Sequence, residues 1–213
     1  MAEILSSYSI QSLYILVGFC ILAYLIGSIP TGYIIVKLKT GQDIRKVGSG
    51  STGATNVKRV LGKKYFFIVM LLDALKGATP VVLAKVLTSN AIVSDVLGIF
   101  AVACAVFVII GHSKPLFLGF RGGKSVASGV GTILALSPLA GLIIAVIWSV
   151  ITYFSKYVSL GSIIALFLSP FIMYFLNAPL AYVCYCAFAG VYIIYLHREN
   201  IVRLVKGEEN KVR

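Results

Sequence analysis

The sequence predicts an all-α, polytopic membrane protein with seven transmembrane helices, one of them a short half-helix, the N-terminus out and the C-terminus in. Three observations lead there. Of 213 residues, 59% are hydrophobic and 12% charged, whereas a soluble domain has roughly 45–50% and about 25%. The apolar residues fall in long runs, several close to the roughly 20 residues that cross the hydrocarbon. The basic residues, which give a net charge of +12, gather in alternate loops, as they do on the cytoplasmic side of a membrane. A soluble domain, a disordered chain and a secreted disulfide scaffold are excluded. Residues 1–213 read as a single integral membrane domain.

The first apolar run carries no charge from Ile4 to Val36, and Pro30 within Gly27-Ser28-Ile29-Pro30 predicts a kink. Only Glu3 is charged ahead of it, so the run is expected to be the first span and not a cleaved signal. Residues 37–64 form a polar loop with eight Lys and Arg and one acid, Asp43. The second span is expected at about Tyr65–Lys85, an uncharged loop at 86–94, and the third span at about Val96–Ile110. A second basic loop carries Lys114, Arg121 and Lys124. Residues 125–155 hold no charge. As one helix they would measure about 46 Å, too long for a core of about 30 Å. Ser137-Pro138 suits a turn and divides them into a half-helix, 125–136, and a longer helix, 139–155. The last spans are expected at 159–175 and 180–196, followed by a basic tail, 197–213. With the break, 17 of the 19 basic residues share one side; without it the tail moves to the other side. The positive-inside rule favours the break. The four cysteines lie in apolar runs without metal-ligand spacing and read as small core residues.

Three clusters are too specific for ordinary membrane loops. The first runs from Asp43 to Asn56 and places Gly48, Ser49, Gly50, Ser51, Thr52, Gly53 and Thr55 after Arg45-Lys46. Glycines let backbone N–H groups converge on an anion, hydroxyls and Asn add neutral donors, and Arg45 could clamp a phosphate. The second runs from Gly111 to Ser125 and holds His112 and Gly122-Gly123-Lys124. It lacks the glycine spacing of a P-loop, because Leu118 stands where that motif needs Gly. It does open the half-helix, and helix N-termini attract phosphate. The third is His197-Arg198-Glu199-Asn200. On a helix continuing the last span, His197, Asn200, Ile201 and Leu204 would share a face, and His197 could handle a proton. Ser159 reads as a cap of the sixth span. Asp73 and Lys76, at i and i+3 within the second span, read as an ion pair. His112 could be a cap, an interface residue or a ligand. All three clusters fall on the cytoplasmic face, giving one basic basin suited to phosphate-bearing substrates. A transporter of organic anions would use the same basin, but would call for midplane ionisable residues and repeat symmetry; only Asp73 and Lys76 qualify, and no repeat is evident.

At these residues the chain resembles the bacterial acyl-phosphate-dependent glycerol-3-phosphate acyltransferases. The likeness lies in 43–56, Gly111-His112 with Gly122 to Ala127, and 197–208, together with Asp73 to Gly77. It implies an enzyme of phospholipid synthesis that moves a fatty acyl group from acyl phosphate to the sn-1 hydroxyl of glycerol 3-phosphate. Lysophosphatidic acid and phosphate would be the products, and neither acyl-CoA nor acyl carrier protein the donor. It implies a multi-pass protein of the bacterial inner membrane with its active site facing the cytoplasm. Surrounding lipid is expected, but no metal, cofactor, nucleic acid or obligate protein partner. Carried over by motif, Ser49, Arg45, Lys124, Ser159, His197 and Asn200 are the expected catalytic residues. Gly50, Ser51, Thr52, Gly53, Thr55, Asn56, His112, Gly122 and Gly123 are the expected substrate and phosphate contacts. Glu199 looks more structural. The chain departs from the family at Ser51, where Asn is common, and at Ser125, where Gly is common.

Overall fold

The computed structural model describes residues 10–89 and 98–212. The start of the first apolar run, most of the expected 86–94 loop and the expected start of the third span at Val96 lie outside those residues. Among the described residues all regular structure is helical. In order come α1 (Ile10–Ser28), α2 (Thr31–Thr40), α3 (Ala54–Leu61), α4 (Lys63–Ser89), α5 (Ile99–Ser113), α6 (Val126–Leu136), α7 (Pro138–Ser155), α8 (Val158–Phe175), α9 (Leu180–Leu196) and α10 (Arg198–Val205). Among the described residues five segments are long and apolar enough to cross a membrane, with α1 and α2 counted together, and the α9–α10 pair, bent by 62°, makes a sixth if taken as one span. The apolar α6 is shorter and is the expected half-helix. The chain breaks where Ser137-Pro138 predicts, with Pro138 in the first turn of α7, a position where its missing N–H costs nothing.

The kink expected at Pro30 is the gap between α1 and α2. At the gap a backbone group is met by α4, where Lys76 Nζ donates to the Ile29 carbonyl at 2.7 Å, and the Thr31 side chain joins it, Oγ1 donating to Asp73 Oδ1 at 2.5 Å. Lys76 and Asp73 also pair at 2.8 Å, as their spacing suggests. In hydrocarbon an unmet backbone group costs several kcal/mol, so this pair closes the break.

The buried core runs through α1, α4, α5, α6, α7, α8 and α9, with Phe100, Cys104, Ile109, Ile133, Ile144, Met173 and Tyr185 among its members. The helix α5 sits near its centre, and α7 faces outward along most of its length. Of the cysteines, Cys20, Cys104 and Cys186 are buried and Cys184 is exposed, and none of the four is in a disulfide.

The depth of α6 follows from its contacts. A Cβ on Gly131 would strike the Ala74 carbonyl, and one on Gly77 would strike the Ser128 carbonyl. The helices α4 and α6 therefore run side by side with almost no gap, and the first turn of α6 is level with Asp73. That is about ten residues, roughly 15 Å, in from the start of α4 at Lys63. At its other end, the carbonyls of Ala135 and Leu136 accept from Lys85 Nζ at 3.0 and 3.3 Å. These are terminal carbonyls that no helical N–H can reach. The half-helix is thus recessed at its N-terminus and capped by a cation at its C-terminus.

Candidate active site

A second, smaller core of Val36, Ile44, Val57 and Val69 lies under the first polar loop and fixes it against α2 and α4. Above it the loop is organised by Asn56, which is 1% exposed. Its Nδ2 donates to the carbonyls of Ile44, Val47 and Ser51 at 3.3, 2.9 and 2.9 Å, and its Oδ1 accepts the Ser49 N–H at 3.1 Å. Gly48 and Gly50, at φ +60° and +70°, supply the left-handed turns that present Ser49, a conformation costly for other residues. Ser51 Oγ accepts the Gly53 N–H at 3.2 Å, a turn contact that Asn makes equally well.

Arg45 joins the two basic loops. Its Nη2 lies 2.7 Å from Asp43 Oδ2, its Nε donates to the same carboxylate, and its Nη1 donates to the Leu118 carbonyl at 3.2 Å. Its guanidinium covers the Tyr33 ring at 5.3 Å. The guanidinium beside Asp43 holds that carboxyl down at about 2. In the second loop, the N–H groups of Gly122 and Gly123 donate to the carbonyls of Ser113 and His112, each at 3.2 Å. They fold the loop back on the end of α5 and so deliver Lys124 to the head of α6. Ser125, next in line, is left-handed at φ +57°, which explains why glycine suits this position. Its Oγ donates to the Ile109 carbonyl at 2.7 Å. His112 Nδ1 shares a hydrogen bond with Ser128 Oγ at 3.0 Å and lies 3.7 Å from Asp73 Oδ1.

The last span does not continue straight into the tail. The chain bends at His197, so His197 caps the end of α9 and Asn200 begins a new direction on α10. The single shared face expected from a straight helix is replaced by two side chains converging from either side of a corner. His197 Nδ1 meets the Ile193 carbonyl at 2.8 Å. Nor does Ser159 cap α8, because Tyr157 holds the N-cap position. Ser159 Oγ donates instead to Glu209 Oε1 at 2.9 Å. Glu209 comes from the C-terminal strap, residues 206–212, which folds back so that the Val212 N–H reaches the Lys156 carbonyl at 2.8 Å.

These pieces surround one cavity of about 1000 Å³. Of the residues expected from sequence, Ser49, Ser51, Gly53, Thr55, Asn56, His112, Lys124, Ser159, His197 and Asn200 line it. Arg45, Gly50, Thr52, Gly122 and Gly123 are not on its wall; they hold the two loops that form its rim. Lys124 Nζ donates to Asn200 Oδ1. Burial lowers the pKa of Lys124, with Arg203 acting in the same direction and Glu209 and Glu199 opposing. The first turn of α6 opens on the cavity at Ser125, Val126 and Ala127, with the free N–H groups of a helix start.

Further lining residues are Lys58, Arg59, Arg203, Glu209 and Lys211, and, deeper, Asp73. The sequence marks the bases only as topology signals, and nothing in the spacing of Glu209 announces that the tail returns to the site. The opposite wall is apolar: Phe66, Met70, Leu71, Val130, Leu134, Ala145 and Trp148 from α4, α6 and α7. Among the described residues no group of His, Cys, Asp and Glu could hold a metal ion. The arrangement offers cations and neutral donors for phosphate beside an apolar wall.

Residues 17–207 match the family model described as glycerol-3-phosphate acyltransferase. Relatives named glycerol-3-phosphate acyltransferase include one from Synechococcus elongatus, 43% identical across 92% of this chain and 94% of its own. One from Desulforamulus reducens is 44% identical across 95% and 96%. Among solved structures, the glycerol 3-phosphate form of PlsY (YgiH), an integral membrane glycerol 3-phosphate acyltransferase, superimposes with a TM-score of 0.84 at 39% identity, covering 93% of this chain and 96% of that one. Its lysophosphatidic acid form gives 0.81 at 36% identity, covering 93% and 95%.

Proposed function

The chain belongs to the glycerol-3-phosphate acyltransferase family, and on that footing we propose that it moves a fatty acyl group from acyl phosphate to the sn-1 hydroxyl of glycerol 3-phosphate, releasing lysophosphatidic acid and inorganic phosphate. The observation that carries the reading is the two-sided cavity, polar and basic at its mouth and apolar between α4, α6 and α7. Both substrates bear phosphate and repel one another. Lys124, Arg59 and Arg203 on the wall offset that repulsion, and the first turn of α6 adds N–H donors. The acyl tail lies along Met70, Val130, Leu134 and Trp148, with its carbonyl beneath Ser49 and Lys124.

In the reaction the glycerol hydroxyl oxygen bonds to the acyl carbon, and the bond from that carbon to the phosphate oxygen breaks. Phosphate is already a good leaving group, so no covalent acyl-enzyme is required. The hydroxyl proton passes to a substrate phosphate oxygen or to His197. A carbonyl can only accept, so the contact with Ile193 leaves the proton on Nδ1 and makes Nε2 of a neutral ring a free acceptor. Ser49 and the Asn200 N–H that Glu209 does not hold supply donors for the oxyanion, while Ser159, whose proton goes to Glu209, offers only lone pairs to a substrate hydroxyl. With α6 counted as a half-span and the N-terminus outside, the site faces the cytoplasm from the bacterial inner membrane; the clustering of basic residues in the loops that form its rim supports this reading.

The test is phosphate release by purified protein supplied with palmitoyl phosphate and glycerol 3-phosphate, without metal or CoA. Release that requires glycerol 3-phosphate and forms lysophosphatidic acid is expected. Folded protein that leaves both substrates intact sinks the reading. His197→Ala with full turnover would remove His197 as the base and leave the substrate phosphate in that role.

A further inference from the structure

The strap that closes the chain places a carboxylate among the side chains of the site. Glu209 Oε1 accepts from Asn200 Nδ2 at 2.6 Å and from Ser159 Oγ at 2.9 Å, and Oε2 accepts from Arg203 Nε at 2.8 Å. Only 7% of its side chain is exposed. The strap is tied at both ends. The Glu208 N–H donates to the Arg203 carbonyl at 2.8 Å, and the Val212 N–H donates to the Lys156 carbonyl at the same distance. Lys211 lies over the Tyr157 ring at 5.7 Å. Glu209 is therefore held by backbone on either side.

Asn200 stands between Glu209 and Lys124, whose ammonium donates to its Oδ1. A carboxylate can only accept and an ammonium can only donate. One orientation of the Asn200 amide satisfies both, with Nδ2 towards Glu209 and Oδ1 towards Lys124. Without Glu209 the amide is oriented from one side only, by Lys124, and Asn200 Nδ2 and Ser159 lose their shared acceptor.

We propose that Glu209 is a positioning residue: from the C-terminal strap it aims Asn200 and Ser159 and, through Asn200, holds the Lys124 ammonium at the cavity wall. The inference rests on the acyl-transfer reading for its kinetic consequence, but not for its structural one. The charged and titratable groups facing Lys124 are Arg59 from α3, His197 at the α9–α10 corner, Glu199 and Arg203 from α10, and Glu209 from the strap. Of these, the two acids favour its charged form.

Full-length Glu209→Gln and Glu209→Ala are compared with the parent protein in the acyl-transfer assay, after confirming monodisperse elution in detergent. The isosteric Gln variant guards against loss of folding in the Ala variant. Both are expected to lower kcat about ten- to a hundredfold, because small misplacement of reacting groups costs that much, with little change in KM for glycerol 3-phosphate. In parallel, modification of Lys124 by an amine-selective reagent is followed by mass spectrometry against pH. In Glu209→Gln its midpoint moves to lower pH, since a neighbouring negative charge has gone. Unchanged kcat in both variants overturns the proposal. So does a fall in KM with kcat kept or raised, which would make Glu209 an internal occupant of the substrate's place. Parent protein without transferase activity would sink the functional reading alone; the Lys124 profile then decides the positioning claim, and an unmoved midpoint ends it.

Discussion

The Asn56 amide gathers three carbonyls and one N–H at a single buried point. Removing it leaves several polar groups unmet at once. Asn56→Ala is expected to cost about 3 kcal/mol, seen as a fall of roughly 6–12 °C in the unfolding midpoint of the detergent-solubilised protein, together with loss of turnover as Ser49 is released. A midpoint within a degree or two of the parent would show that the loop is held by something else. The sequence makes Asn56, Ser49, Gly122 and Gly123 legible as residue types suited to an anion, and the family likeness gives them order. It does not reveal direction. Asn56 turns inward and Ser49 outward, and the two glycines spend their N–H groups on the end of α5. Such choices depend on which carbonyls come within reach, and those belong to segments distant in the chain. Ser125 is the converse case: its left-handed φ accounts for a family preference that composition alone leaves unexplained.

At the scale of the element, the half-helix was readable because 31 charge-free residues with a proline in the middle fit the bilayer only when broken. Its recession was not readable, because depth is set by close contact between α4 and α6 rather than by the length of α6. The cap was not readable either: Lys85 is fifty residues from Ala135. Lys85→Met would leave the last carbonyls of α6 without a donor, at about 1–3 kcal/mol. The expected result is a lower unfolding midpoint and reduced acyl transfer, with Lys85→Arg recovering most of both. Equal stability in Lys85→Met would show that α6 is held by its packing alone. The corner at His197 escaped the sequence for a related reason. Nothing in Leu196-His197-Arg198 breaks a helix by propensity, so tertiary contacts of Asn200 and Arg203 with the strap set the bend.

For the whole molecule, the charge count brought the three polar clusters to one side, and the cavity lining brings together residues from all of them. The apolar wall of the cavity stayed hidden, since a residue facing a groove and one facing lipid are equally hydrophobic. The strap makes the closure of this end depend on pH. Burial alone would raise the Glu209 carboxyl, but the donors Asn200, Arg203 and Ser159 outweigh it and keep the pKa below its ordinary value. A carboxylate favoured by folding stabilises above its unfolded pKa, and that contribution is lost as pH falls through the lower folded value. Protease resistance of the tail should therefore be level from neutral pH to about 5 and fall once the pH passes below the ordinary carboxylate range near ~4.3. Glu209→Gln should remove that step, and a step that persists in the variant would assign it to another group.

The Lys85 cap also bears on how the protein is made. A ribosome completes Lys85 before it reaches Ala135 and Leu136. An eleven-residue helix is too short to partition into a bilayer by itself, and its unmet carbonyls would oppose entry. By the time it leaves the insertion machinery, α4 is already seated beside it with a cation at the right depth. The order of synthesis thus supplies a receptor for the least insertable segment before that segment exists.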